Sequence, residues 1–176
     1  MKKSLIAWFS RRGNNYFNGK IIHLTVGNTE VVAKKIAAMT GGDLFHIEAV
    51  KPYPEDYEES TEVAKRELGT HARPELTGTV SDFETYDTIY LGYPIWWGVM
   101  PMPVLTFLES YDFTGKTIVP FCTHEGSGFG TSERYIRQAC PKATIAGGLA
   151  IRGGARDKSD RQIAAWLEKT GNTVGN

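Results

Sequence analysis

A chain of 176 residues, 41% apolar and 23% charged, has the size and composition of one folded domain, 1–176, with a sizeable core. Twenty basic and twenty acidic side chains cancel, which excludes the overall basic footprint of a nucleic-acid-binding domain. Two cysteines make no disulfide framework and no apolar run reaches membrane length, so the expectation is a cytoplasmic protein with no membrane partner.

In chain order, Leu5–Phe9 is a short apolar run and reads as a buried strand. The stretch Arg11–Val26 is the one long irregular piece, and within it Asn18-Gly19, between Tyr16-Phe17 and Lys20-Ile21, is a strong hairpin-turn signal. Glu30–Met39 has apolar residues at helical spacing with lysines opposite, and Gly41-Gly42 ends it. Leu44–Val50 alternates as a second strand, and Tyr57–Leu68 is acidic with weak helical periodicity. Thr88–Tyr93 is a third strand, Val104–Ser110 a helix, Thr117–Cys122 a fourth strand and Ser132–Cys140 a helix. Ala143–Ile151 is a fifth strand despite its glycines, and Asp157–Lys169 an amphipathic terminal helix. Short apolar strands alternating with helices predict an α/β fold: a three-layer α/β/α sandwich around a five-stranded parallel sheet.

In an open parallel sheet, ligands bind beyond the carboxyl ends of the strands. Three unusual loops fall there. After the first strand, the sequence holds two Gly-Asn pairs, Gly13-Asn14 and Gly27-Asn28. Only Gly27-Asn28-Thr29-Glu30 opens directly into a helix, so the anion-binding turn is assigned to it, with Ser10 and Arg11 alongside to add a hydroxyl and a cation. The intervening residues 11–26 are then an insertion that splits one phosphate loop into two halves. Taken alone, Gly27-Asn28 reads more readily as a helix cap. After the third strand comes Pro94-Ile95-Trp96-Trp97-Gly98. One indole is expected to pack on the following helix and the other to stack on a flat aromatic ligand, while Gly98 lets backbone approach that ligand. After the fourth strand, Thr123-His124-Glu125-Gly126-Ser127-Gly128 offers backbone N–H groups and hydroxyls with little bulk. A phosphate site, an aromatic clamp and a glycine-rich wall together describe a mononucleotide with a large flat head.

These three loops resemble those of the flavodoxin-like proteins, which bind flavin mononucleotide (FMN). That family's phosphate loop commonly reads Ser/Thr-x-Thr-Gly-Asn-Thr; here Ser10-Arg11 supplies its start and Gly27-Asn28-Thr29 its end, and the middle Thr gives way to the insertion. Trp96 and Trp97 match the aromatic residues that flank the ring in the family, and Thr123–Gly128 matches its third loop in position. The resemblance covers nearly the whole chain. It implies strand order 2-1-3-4-5, non-covalent FMN, and electron transfer with redox partner proteins; an NAD(P)H-dependent FMN or quinone oxidoreductase is the alternative. With a flavin in place, the missing side chain at Gly98 leads to the expectation that the Trp97–Gly98 backbone contacts flavin N5, and Glu125 is expected to add negative charge near the pyrimidine edge; no catalytic side chain is required.

Rival motifs fall short. Gly13…Gly19-Lys20 is one residue too long for a nucleoside-triphosphate loop and has Ile21 where a hydroxyl is needed. Ser127 lacks glycines two residues to either side, which a hydrolase elbow requires. The four histidines show no metal spacing, and Cys122 ends an apolar strand, as a buried inert thiol does. Residues 43–87 hold 12 acids and 4 bases, while the remainder holds 8 acids and 16 bases. That asymmetry reads either as a docking patch for a partner or as a solvated helix face.

Overall fold

Side-chain alternation along the first strand decides which way each layer faces. In the computed structural model, which describes residues 2–171, β1 (Ser4–Trp8) sends Leu5 and Ala7 to one face of a sheet and Ile6 and Trp8 to the other. Met1 and residues 172–176 of the expected 1–176 unit lie outside the described residues. After β1, β2 (Gly13–Phe17) and β3 (Lys20–Leu24) form an antiparallel hairpin of their own. Asn18 (φ 53°) and Gly19 (φ 80°) make its turn, as the Asn-Gly pair dictates. The chain then enters α1 (Asn28–Thr40), which ends at Gly41 in the left-handed region, with the Gly41 N–H on the Ala37 carbonyl.

The remaining strands are β4 (Asp43–His46), β5 (Thr88–Pro94), β6 (Thr117–His124), β7 (Thr144–Ile145) and β8 (Leu149–Arg152). The helices are α2 (Tyr57–Gly69), α3 (Met102–Glu109), α4 (Ser132–Ala139) and α5 (Asp160–Lys169). The main sheet runs β4-β1-β5-β6 and is completed by β7 and β8, both on β6, with every pairing parallel. That is the predicted 2-1-3-4-5 order, with β7 and β8 as two pieces of the fifth strand. α1 and α5 cover one face, burying Val32, Ile36, Ile163 and Leu167 against Ile6, Tyr90, Val119 and Ile151. α3 and α4 cover the other with Val104, Phe107, Leu108 and Ile136. Each such side chain contributes about 1.5–3 kcal/mol by leaving water.

Two strands differ from expectation. The fifth breaks at Ala146–Gly148, because the Gly147 carbonyl accepts from Trp166 Nε1 (2.8 Å) and is turned out of the ladder, while a Cβ on Gly148 would crowd the Phe129 ring. The second strand ends at His46 rather than Val50, because residues 48–50 pair with residues 75–77 instead (Thr77 N–H to Glu48 carbonyl, Val50 N–H to Glu75 carbonyl). The terminal helix likewise begins later than predicted, at Asp160, behind a 3-10 turn over Gly153–Lys158. No helix among the described residues is long and apolar enough to cross a membrane.

Candidate functional site

The two halves of the first loop meet where β1 ends and α1 begins. A Cβ on Gly27 would overlap Ser10 Oγ and crowd the Arg11 carbonyl, so only glycine lets the halves touch. Gly27 is the N-cap of α1 and caps it with no side chain, which leaves the first-turn N–H groups for another partner. Beside them, Ser10 Oγ and Asn28 Oδ1 are buried and have no hydrogen-bond partner among the described residues. Buried polar atoms normally find partners. Two orphans at one uncapped helix mouth are what a ligand carrying both a phosphate and hydroxyl groups would satisfy: the Ser10 hydroxyl can donate to a phosphate oxygen, and Asn28 Oδ1 can accept from a ligand hydroxyl. Thr29 is fully buried, and its hydroxyl shares a 2.8 Å bond with the Thr123 hydroxyl, tying the first loop to the third.

Arg11 departs from its expected role as a phosphate cation. Its guanidinium donates to the carbonyls of Asn14, Pro54 and Glu55, so it binds the hairpin root to the segment leading into α2. Burial lowers its pKa from the ordinary value, partly offset by Tyr57, Asp56 and Glu55.

In the second loop, Trp96 and Val99 exchange backbone bonds (2.8 and 3.2 Å) around a tight turn in which Trp97 (φ 53°) and Gly98 (φ 78°) both adopt left-handed backbone. Glycine does this freely; tryptophan does it at a cost of about 1–3 kcal/mol. Trp96 is the indole that packs, but its ring partners, edge-on at 5.3 and 5.1 Å, are Phe9 and Tyr53 rather than residues of the following helix. Trp97 is 51% exposed and lies along α2, its Nε1 donating to the Thr61 carbonyl at 2.9 Å. The Gly98 carbonyl accepts from Thr131 N–H (2.9 Å), so that oxygen is engaged between loops rather than directed at a ligand.

In the third loop, Gly126 N–H donates to His124 Nδ1 (2.9 Å), which in the neutral ring leaves the proton on Nε2. Burial, then Arg152, holds this histidine below its ordinary value of 6.5. Burial raises the Glu125 carboxyl, against the opposing pull of Arg152 and of the Gly19 and Asn18 backbone N–H groups. Gly126, Gly128 and Gly130 all have positive φ. The Ser127 hydroxyl donates to the Gly128 carbonyl at 3.2 Å. Cys122, buried beneath this loop, has its thiol pushed up to about 12 and is inert.

A cavity of about 330 Å³ is lined by Asn28 from the first loop, Ile95 and Trp96 from the second and Thr123, His124, Glu125 and Ser127 from the third; Ser10 does not border it. Pro94 also borders it. Trp97 lines a neighbouring cavity of about 370 Å³ on the α2 side, which shares Ile95, Trp96, Asn15 and Tyr57 with the first. Gly98 borders neither. A larger space of about 540 Å³ reaches Ser10 and Arg11 from the β4 side, but it touches neither α1 nor the third loop, so it is not the mouth of the helix. Asn15 and Tyr16 of the hairpin and Tyr57 of α2 complete the walls, with Tyr16 meeting Tyr57 edge-on at 4.9 Å. Local sequence pattern did not single out these three. The available signal was the run of polar and aromatic residues in a segment already placed at the rim. Among the described residues, no group of three or more His, Cys, Asp or Glu side chains could hold a metal ion.

The profile of a family described as Flavodoxin matches residues 18–170. The chain is similar to the crystal structure of a protein described as a flavoprotein from Bacteroides eggerthii, with 29% identity and TM-score 0.78 over 97% of this chain and 99% of that one. A second, from Bacteroides uniformis, is 29% identical with TM-score 0.75 over 93% and 98% of the two chains. A flavoprotein from Lactobacillus acidophilus, solved in complex with FMN, shares the fold at 19% identity and TM-score 0.68 over 94% and 99%. No curated protein sequence matches.

Proposed function

The chain belongs to the flavodoxin family, and from that premise we propose that it binds FMN non-covalently and carries electrons between redox partner proteins. The observation that carries this reading is the pair of orphaned atoms, Ser10 Oγ and Asn28 Oδ1, at the uncapped start of α1. The Ser10 hydroxyl and the first-turn N–H groups would donate to the phosphate, and Asn28 Oδ1 would accept from a hydroxyl of the ligand. That the Lactobacillus acidophilus flavoprotein of the same fold holds FMN supports the choice of ligand.

Bound in this site, FMN supplies one- and two-electron redox chemistry. The chain's part is to orient and insulate. Ile95 and Trp96 present an apolar wall to a flat ring, and His124 presents a neutral ring carrying its proton on Nε2. Glu125 and the acidic start of α2 (Glu58, Glu59, Glu62) give the rim a negative field to meet a basic partner.

A second reading, an NAD(P)H-dependent FMN or quinone oxidoreductase, is favoured by one feature: the 370 Å³ cavity between Trp96, Trp97 and α2 is open to a flat substrate. Incubating the FMN-loaded protein with NADH or NADPH, with and without a quinone, separates the two. The carrier reading expects no sustained nucleotide consumption unless a separate reductase is added. Steady turnover by the protein alone would establish the oxidoreductase instead.

A further inference from the structure

The hairpin β2–β3 interrupts the phosphate loop, and its contacts give it a task. Its root leaves the end of β1, where Asn15 Nδ2 donates to the Arg11 (2.9 Å) and Gly13 (3.2 Å) carbonyls and the Arg11 guanidinium holds the Asn14 carbonyl. Its tip lies on the far side of the rim, against the 3-10 turn that follows β8. A Cβ on Gly154 would overlap the Asn18 carboxamide. The backbone N–H groups of Asn18 and Gly19 act against the burial that raises the Glu125 carboxyl. Phe17 lies under the Arg156 guanidinium (5.6 Å), and Arg156 also donates to the Val26 carbonyl. Gly153, next to Gly154, lacks the side chain that would collide with Asn28 Nδ2 and Glu125 Oε1.

β5 and β6 separate β1 from β8 in the sheet, so root and tip are three strand spacings apart, about 14 Å, and a five-residue strand spans about 17 Å. The hairpin is therefore long enough to cross the rim, and Asn15 and Tyr16 line the cavity beneath it. We propose that this hairpin is a strap over the cofactor, latched at its tip by Gly154 and Glu125, and that the rate at which it lifts sets the rate of cofactor release. The proposal rests on the reading that the site holds FMN. Asn15 and Tyr16 then become cofactor-contact residues, and Glu125 acts on the hairpin as a positioning residue rather than only on a flavin edge. Ile21 and Ile22 of β3 are exposed, so the tip half of the hairpin has little packing to oppose the movement, while Leu24 at its root is buried.

Gly154→Ala tests the latch because its new methyl group must displace Asn18. Two readouts apply. The first is FMN release, followed by the return of flavin fluorescence on dilution. The second needs no cofactor: tryptic cleavage after Lys20 in the apo protein, which requires the hairpin to open locally. The strap predicts that Gly154→Ala releases FMN about tenfold faster, since changes at a binding surface appear mainly in the off-rate, and is cut faster at Lys20. Asn18→Gly keeps the turn, since glycine accepts that φ, and makes room for the methyl group. The double variant Asn18→Gly/Gly154→Ala should therefore release FMN more slowly than Gly154→Ala alone. If Gly154→Ala does not fold, Asn18→Gly, which removes the side chain seated against Gly154, is compared with wild type, and faster release with faster cleavage is expected. Unchanged release overturns the strap, whether or not cleavage changes. Wild-type protein that does not quench flavin fluorescence at all defeats the FMN reading itself, and the strap with it.

Discussion

At the scale of single residues, the site depends on a side chain that is absent as much as on those that are present. Gly27 allows Ser10 to sit against the helix mouth, and the helix begins uncapped because Gly27 has nothing to cap it with. Gly27→Ala would force the two halves of the loop apart. It is expected to weaken FMN binding at least about tenfold, equivalent to about 1.4 kcal/mol, as read by fluorescence titration; unchanged affinity would show that the halves need not touch. The same scale holds the residues whose roles changed. Arg11 stands beside the phosphate loop in sequence, but three carbonyls surround its guanidinium, and two of them, Pro54 and Glu55, come from a segment more than forty residues away. No local pattern announces such a contact. Tyr16 and Tyr57 were illegible for the same reason: each faces the cavity only because the hairpin and α2 meet there.

At the scale of elements, the alternating strands and the 3.6-residue periodicity of α1 were readable because each buries one face in a continuous layer. The hairpin was readable from Asn18-Gly19, since the two successive left-handed residues of its turn suit few other pairs. The break in the fifth strand was not, because it depends on Trp166 reaching back across the layer to the Gly147 carbonyl. The packing of β5 on β6 offers a direct check of the sheet. A Cβ on Gly92 would run into the Phe121 ring, which is fully buried. Gly92→Ala is expected to destabilise the fold by about 1–3 kcal/mol, measured by chemical denaturation; a change within error would mean that the ring has room to move.

At the scale of the whole molecule, the parallel sheet gathers three sequence-distant loops at one rim, and bonds between the loops lock them together. Thr29 meets Thr123, Ile95 N–H meets the Thr123 carbonyl, and Thr131 N–H meets the Gly98 carbonyl. The rim is thus formed before any ligand arrives, as binding with little conformational cost requires. Charge is partitioned as well: the acidic excess of residues 43–87 includes the start of α2 next to the exposed Trp97, while the remainder is basic. The measurement that bears most directly on this account is titration of the purified protein into FMN, followed by flavin fluorescence. Saturable, one-to-one quenching that riboflavin, lacking the phosphate, matches only weakly is the result the helix-mouth site predicts. Fluorescence unchanged by excess protein, or equal quenching of riboflavin, would contradict it.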